Sequence, residues 1–322
     1  MHIDALETVE IGGMTQWIRV RAMEAATPVL LLMQQGPGFP IINEVRTYER
    51  LLGLEKDFTV VYWDQRGTGL SSASLVKSAE RFEISATLMV DDAVSLLELL
   101  RNRFGGRTLV AGFSFGATFA AQAAVRRPDL VAAGIATAMD IDVPFAEQFT
   151  YDFARATARQ RGNRRAIRQL EKIGPPPHVT TKGFATRARW AMNFGGVTAH
   201  KTYPDLARAL LISMIRSPDY SMVDIVRTLR GSTASQNALL PELASTDLVR
   251  TMPSLEVPIV LAQGRLDKVA PSEATQRFYD SLTAPSKRLV WFEQSAHTPQ
   301  YDEPAKFREL LMDIRSSHLA SL

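Results

Sequence analysis

Residues Thr108 to Pro128 read "TLVAGFSFGATFAAQAAVRRP". The first five residues are a short apolar run of the kind that forms a buried strand, and Phe115 to about Arg126 is rich in small residues with helical spacing. Between them lies Gly112-Phe113-Ser114-Phe115-Gly116, a G-x-S-x-G string in the strand–turn–helix setting in which it exposes a nucleophilic serine. Such a serine sits in a strained conformation, and a side chain at position 112 or 116 would collide with the neighbouring strand or helix. Glycine occupies both positions. The plainer reading is a tight connection whose serine caps the helix; the partners found elsewhere in the chain decide between the two.

Working outward, further short apolar runs mark strands at Gln16 to Ala22, Pro28 to Gln34, Phe58 to Trp63, Val131 to Thr137, Pro258 to Gln263 and Lys287 to Phe292. Val90, Ala93, Val94, Leu97, Leu100 and Phe104 fall on one face of a helix between two of them. Strands alternating with helices in the first and last thirds predict a mainly parallel sheet flanked by helices. From about Ile141 to Leu240 the pattern is helical only, broken at Gly162-Asn163, Gly174-Pro175-Pro176-Pro177, Gly195-Gly196 and Ser217-Pro218. The expected organisation is a core formed by residues 1–140 and 241–322, with residues 141–240 inserted between core strands as a helical lid.

Composition narrows the function classes. The chain has 322 residues, 46% hydrophobic and 22% charged, as in ordinary globular proteins. A net charge of +3 is too small to argue for nucleic acid or anionic membranes. The absence of cysteine excludes disulfides, a thiol nucleophile and cysteine-ligated metals. The N-terminal "MHIDALETVEIGG" has no apolar leader segment, and no run of about 18 apolar residues occurs, so a cytoplasmic protein is expected.

A serine nucleophile requires a general base oriented by a carboxylate. The chain has five histidines. His2 and His318 lie near the termini, and His178 and His200 lie in the helical middle. His297, in "EQSAHTPQYDEP", follows the last expected strand, and loops at the carboxyl ends of strands line the ligand crevice of such sheets. The acid is expected after the preceding strand, where "PIVLAQGRLDKVAP" offers Asp267, a residue that in the plainer reading only holds its own turn. The order Ser114, Asp267, His297 leaves room for the helical segment in the first gap and for one helix and one strand in the second.

Acyl transfer also needs backbone donors for the developing oxyanion. Phe115, after the serine, supplies one. The "MQQGPGFP" loop from Met33 to Pro40 supplies the other through Gly36, with Gln35 as the alternative. Gly36 has no side chain to hold a substrate away, and Pro37 stiffens the turn.

These residues resemble the prolyl-iminopeptidase-like branch of the α/β-hydrolases. The resemblance rests on "QQGPG", on "YWDQRGTGLS" from Tyr62 to Ser71, on "GFSFG", and on Asp267 and His297 in their loops. It implies an α/β-hydrolase fold with an inserted helical cap, a Ser114–Asp267–His297 triad, no cofactor and no metal. Asp64 and Arg66 are implied to be structural, the plainer reading being a surface ion pair. The family's H-G-G-P-G string carries Gln34 and Gln35 here in place of histidine and the first glycine, and Phe115 replaces the usual tryptophan. The W-x-x-W-E string beside the family's amine-binding lid glutamates has its nearest counterpart in "RARWAMNFGG", where Ala191 follows Trp190.

The expected activity is that of a serine hydrolase forming an acyl-enzyme with a small molecule or short peptide cleaved at its N-terminal residue. An esterase, lactonase or tailoring hydrolase of secondary metabolism is the alternative, and a non-catalytic small-molecule receptor is the alternative from another class. Gln34, Gln35, Trp190 and Phe194 are candidate substrate contacts. The arginines at 155, 159, 161, 164, 165 and 168 read as a solvated helix face or as a lure for an anionic substrate. Neither nucleic acid nor membrane is an expected partner.

Overall fold

The computed structural model describes residues 2–24, 27–73, 83–198 and 201–319. Eight strands among them, β1 (Ile3–Ile11), β2 (Met14–Ala22), β3 (Val29–Met33), β4 (Thr59–Asp64), β5 (Thr108–Phe113), β6 (Val131–Thr137), β7 (Ile259–Gly264) and β8 (Lys287–Phe292), form one sheet. Their order is β1-β2-β4-β3-β5-β6-β7-β8. Strands β3 to β8 run parallel, and β1 and β2 are antiparallel at one edge. Every residue of β3, β4, β5 and β7 is buried, which is why these segments read as continuous apolar runs. The seven expected strands lie within two residues of their observed ends.

The sequence analysis does not anticipate β1. Ile3, Ala5, Val9 and Ile11 alternate, but Glu7 interrupts the series and is paired at the surface with Arg103. Gly12 and Gly13, with φ of 57° and 72°, close the hairpin to β2 as a two-residue turn.

The helices are α1 (Val45–Leu52), α2 (Ala86–Phe104), α3 (Phe115–Arg126), α4 (Val143–Gln160), α5 (Arg164–Ile173), α6 (Thr181–Asn193), α7 (Tyr203–Arg216), α8 (Met222–Leu243), α9 (Leu248–Thr251), α10 (Ser272–Ser281), α11 (Pro299–Asp302) and α12 (Pro304–Leu319). Successive strand residues point to opposite faces, so Leu31, Val61 and Val110 meet α2, α3 and α10 through Val90, Phe119 and Phe278. Leu30, Leu32 and Tyr62 meet α1 and α12 through Tyr48, Phe307 and Leu311 on the other face. Helices α4 to α9 stand between β6 and β7, with no strand among the described residues there. Each of the four expected breaks falls between two of these helices. The boundary expected at residue 240 lies inside α8, which continues to Leu243 because Leu239 and Leu243 are both buried in the core. No helix among the described residues is long and apolar enough to cross a membrane.

The polar residues of "YWDQRGTGLS" are buried, and Asp64 and Arg66 do not pair with each other. Asp64 Oδ1 accepts the N–H groups of Ile41 and Ile42 at 2.8 and 3.1 Å, while Oδ2 accepts Leu70 N–H at 2.8 Å and the Tyr220 hydroxyl. Arg66 instead forms a two-bond pair with Asp92 of α2 at 2.8 and 2.9 Å and donates to Gly12 O at 2.7 Å. Asp92 also accepts Gln16 Nε2 at 2.6 Å, so the charge is enclosed and fully bonded. Removing one member of such a pair leaves its partner buried and uncompensated, at a cost of roughly 3–5 kcal/mol. Asp92→Ala is expected to lower the unfolding free energy measured by denaturant titration by that amount; a change within about 0.5 kcal/mol, as for ordinary surface substitutions, refutes the assignment.

Candidate active site

Ser114 is the residue between β5 and α3, with φ 53° and ψ −128°, a conformation outside the regions that a side-chain-bearing residue ordinarily occupies. It persists because the surroundings hold it: Ser114 N donates to Thr137 O at 2.9 Å. A Cβ on Gly112 would stand 2.4 Å from Ala117 Cα, and one on Gly116 would stand 2.4 Å from both the Met33 and Gln34 carbonyl oxygens. The second contact presses the first turn of α3 against the loop that follows β3. Phe115 opens α3, so its N–H is one of the donors that the helix itself leaves unpaired.

In that loop the Gln34 amide turns back on its own chain. Its Nε2 donates to Pro40 O at 3.0 Å, and its Oε1 accepts the Gln35 N–H at 3.0 Å. The Gln35 N–H, the alternative to that of Gly36, is therefore already engaged.

Asp267 and His297 come together at the ends of β7 and β8. His297 Nδ1 donates to Asp267 Oδ2 at 2.8 Å. Asp267 Oδ1 accepts the N–H groups of Val269 and Ala270 at 2.7 and 3.0 Å, so one oxygen holds the turn while the other orients the imidazole. Gln263, expected only as the end of its strand, braces the loop by donating to Ala270 O at 2.8 Å. A Cβ on Gly264 would lie 1.9 Å from Ala296 O, the close approach that sets the two loops side by side. The segment between α6 and α7 joins them: Lys268 N donates to Gly196 O and His297 N to Val197 O, both at 2.9 Å.

A second carboxylate lies beside the serine. Asp140, three residues past the end of β6, accepts the Ser114 hydroxyl on Oδ2 at 2.6 Å, and its main-chain carbonyl accepts Thr118 Oγ1 at 2.8 Å. The sequence reading missed it, because nothing but the fold brings this residue to Ser114.

Comparison with known proteins sets this geometry in a family. Residues 36–310 match the alpha/beta hydrolase family. The chain belongs to that family. It is 30% identical over 319 residues to the probable aminopeptidase YbaC of Bacillus subtilis (strain 168), covering 98% of each chain. It is 24% identical over 319 residues to a proline iminopeptidase of Heyndrickxia coagulans, covering 95% of this chain and 96% of the relative. The crystal structure of the proline iminopeptidase of Mycobacterium smegmatis superposes with a TM-score of 0.69 at 21% identity, covering 99% of this chain and 100% of that one. The protein is a hydrolase.

Several candidate contacts of the hydrolase have other duties. Trp190 and Phe194, rather than lining the large cavity, stack at 5.6 Å within the inserted helices' own apolar cluster with Tyr151 and Leu170, and Trp190 Nε1 donates to Gln169 Oε1 at 3.0 Å. His178 bonds Gly174 O at 3.1 Å and stands in a buried group with Glu147 and Arg187. His200 lies outside the described residues. Of the acidic residues on the inserted helices, Glu147 pairs with Arg187, Asp219 with Arg19, Asp152 accepts Gln148, Asp205 and Asp224 cap helices, and Glu171 is exposed. Arg155 is partly buried, and the other five arginines of the 155–168 stretch are exposed, as on a solvated face. A cavity of about 1130 Å³ opens beside the site, lined among others by Gln34, Gln35, Phe39, Val197 and Thr298.

The charges of the site are coupled. Burial opposes protonation of His297, but the charge and hydrogen bond of Asp267, with Asp140 adding, outweigh it and raise the imidazole pKa. Burial pushes the Asp140 carboxyl up to about 6, against the downward pull of His297, the Ser114 hydroxyl and Arg187. A carboxyl whose pKa rises on folding resists ionisation there, so stability is lost between the ordinary value of 3.8 and about 6 as pH increases, by roughly 3 kcal/mol. Asp140→Asn removes that penalty and keeps an acceptor for Ser114. The variant is expected to match wild type near pH 4 and to exceed it in melting temperature above pH 6; melting curves that stay parallel from pH 4 to 8 contradict this.

Proposed function

We propose that the hydrolase cleaves a small amide or short peptide after its N-terminal residue, through an acyl-enzyme on Ser114. The observation carrying this reading is the strained serine at the head of α3 together with the 2.8 Å His297–Asp267 bond on the adjacent loops. Oγ of Ser114 attacks the substrate carbonyl carbon while His297 Nε2 takes the hydroxyl proton. The oxyanion receives the N–H groups of Gly36 and Phe115, and His297 returns the proton to the leaving amine as the C–N bond breaks. Water, deprotonated by the same imidazole, then splits the ester and regenerates Ser114. Asp267 fixes the Nδ1–H tautomer and stabilises the imidazolium. Helices α4 to α8 serve as the cap over the carboxyl ends of the strands.

The N-terminal preference is supported by the family relatives, named as an aminopeptidase and a proline iminopeptidase and aligned over nearly their whole lengths. Aminoacyl arylamides assayed beside acyl aryl esters test it: arylamide turnover is expected, and ester turnover alone rejects the peptidase reading. Ser114→Ala and His297→Ala are each expected to lower kcat by about 10⁴-fold or more with folding intact. Fluorophosphonate must label wild type and not Ser114→Ala, and a purified His297→Ala variant with near wild-type turnover defeats the assignment.

Because His297 acts as a base only when neutral, and its pKa is raised, the acid limb of kcat/KM is expected above the ordinary histidine value of 6.5. An acid limb at or below 6.5 contradicts the charge arrangement.

A further inference from the structure

We infer that Asp140 receives the substrate's α-ammonium group and, in doing so, releases the Ser114 hydroxyl to His297. The inference rests on the acyl-enzyme reading and adds the residue that recognises the N-terminal ammonium and its effect on the nucleophile.

Asp140 is 6% exposed, yet no ion pair reaches it among the described residues, and the Ser114 hydroxyl is its one side-chain donor there. Ionised carboxylates have room for about four acceptor bonds and are rarely buried without a cation. The charged groups facing it are the imidazole of His297, the carboxylate of Asp267 and the guanidinium of Arg187, and this last is held by Glu147. A ligand cation would therefore complete the site.

Geometry fixes where such a cation belongs. Oγ of Ser114 must reach the substrate carbonyl carbon, and an α-nitrogen stands two bonds of about 1.5 Å from that carbon. A carboxylate oxygen 2.6 Å from Oγ is thus within hydrogen-bond reach of an α-ammonium and of little else in the acyl group. The acids of the inserted helices named above are engaged or exposed, and of the acids lining the cavity Asp4, Glu49 and Asp219 pair with arginines while Glu44 accepts Asn43 Nδ2; Asp140 is the carboxylate in contact with the Ser114 hydroxyl.

The same contact has a consequence for the nucleophile. While Asp140 holds the Ser114 proton, that proton is not directed at His297. An arriving ammonium offers up to three donors, takes over the carboxylate, and frees the hydroxyl. No proton is gained or lost in this exchange; it redirects one hydrogen bond. Acyl groups lacking the charge leave the serine held and react slowly.

L-Prolyl 4-nitroanilide and cyclopentanecarbonyl 4-nitroanilide have nearly the same shape and differ in the ammonium; the matching 4-nitrophenyl esters make the neutral rate measurable. In wild type, kcat/KM is expected to favour the prolyl member of each pair by at least 100-fold. In Asp140→Asn and Asp140→Ala that preference is expected to fall at least 30-fold, while in Asp140→Ala, which leaves Ser114 without this acceptor, cyclopentanecarbonyl ester turnover and fluorophosphonate labelling of Ser114 rise. A parallel fall on both members, as a residue with a purely structural role would give, overturns the inference. If the variants do not fold, wild type suffices: KM for the prolyl substrate must fall as pH rises from 5 to 7.5 with KM for the neutral substrate constant, and equal pH dependence overturns the inference. Wild type that turns over neither substrate and takes no fluorophosphonate overturns the acyl-enzyme reading and this inference together. Turnover of both with an unchanged preference in the variants overturns this inference alone.

Discussion

The contact between the Gly116 backbone and the carbonyls of Met33 and Gln34 governs the remaining geometry of the site. With no room for even a methyl group, it fixes the start of α3 against the loop after β3. The serine is then held between a strand end and a helix end that cannot separate, and its unfavourable backbone angles are maintained by packing on both sides. The counterpart at the other half of the site is Gly264, whose backbone meets Ala296 O and aligns the loops of Asp267 and His297. Two close approaches of main chain to main chain thus set four loops from β3, β5, β7 and β8 in one register.

Much of this could be read from the sequence because the signals are local. The strand, turn and helix around Ser114 are contiguous, and the glycines at 112 and 116 report their crowding directly. Asp267 and His297 each follow a buried strand, so their loops could be assigned to one end of the sheet before any contact was known. Strand β1 escaped because its edge position leaves only Val9 and Ile11 of its nine residues buried and admits Glu7, which interrupts the apolar alternation. Asp140 escaped for a different reason. Its contact with Ser114 depends on β6 lying next to β5 and on the turn past Thr137, neither of which leaves a mark in the residues themselves.

The two glutamines of the loop after β3 show how a departure from a family string can leave its shape intact. Gln34 bonds Pro40 O and the Gln35 N–H, closing the loop on itself. The amide supplies one donor and one acceptor to the same turn. Trp190 shows the converse: an aromatic residue near an expected string belongs to the inserted helices' own core, where its indole N–H is satisfied by Gln169. In a helical segment with its own apolar cluster, aromatic residues are recruited inward first.

Gly196 and Val197 accept the N–H groups of Lys268 and His297 on their carbonyl oxygens. Neither bond involves a side chain of α6 or α7. Mutation at the cavity-lining positions of α7 can therefore reshape the cavity over evolutionary time while the main-chain mounting of the Asp267 and His297 loops is inherited unchanged, so that drift in the shape of the cavity is decoupled from upkeep of the Asp267–His297 pair.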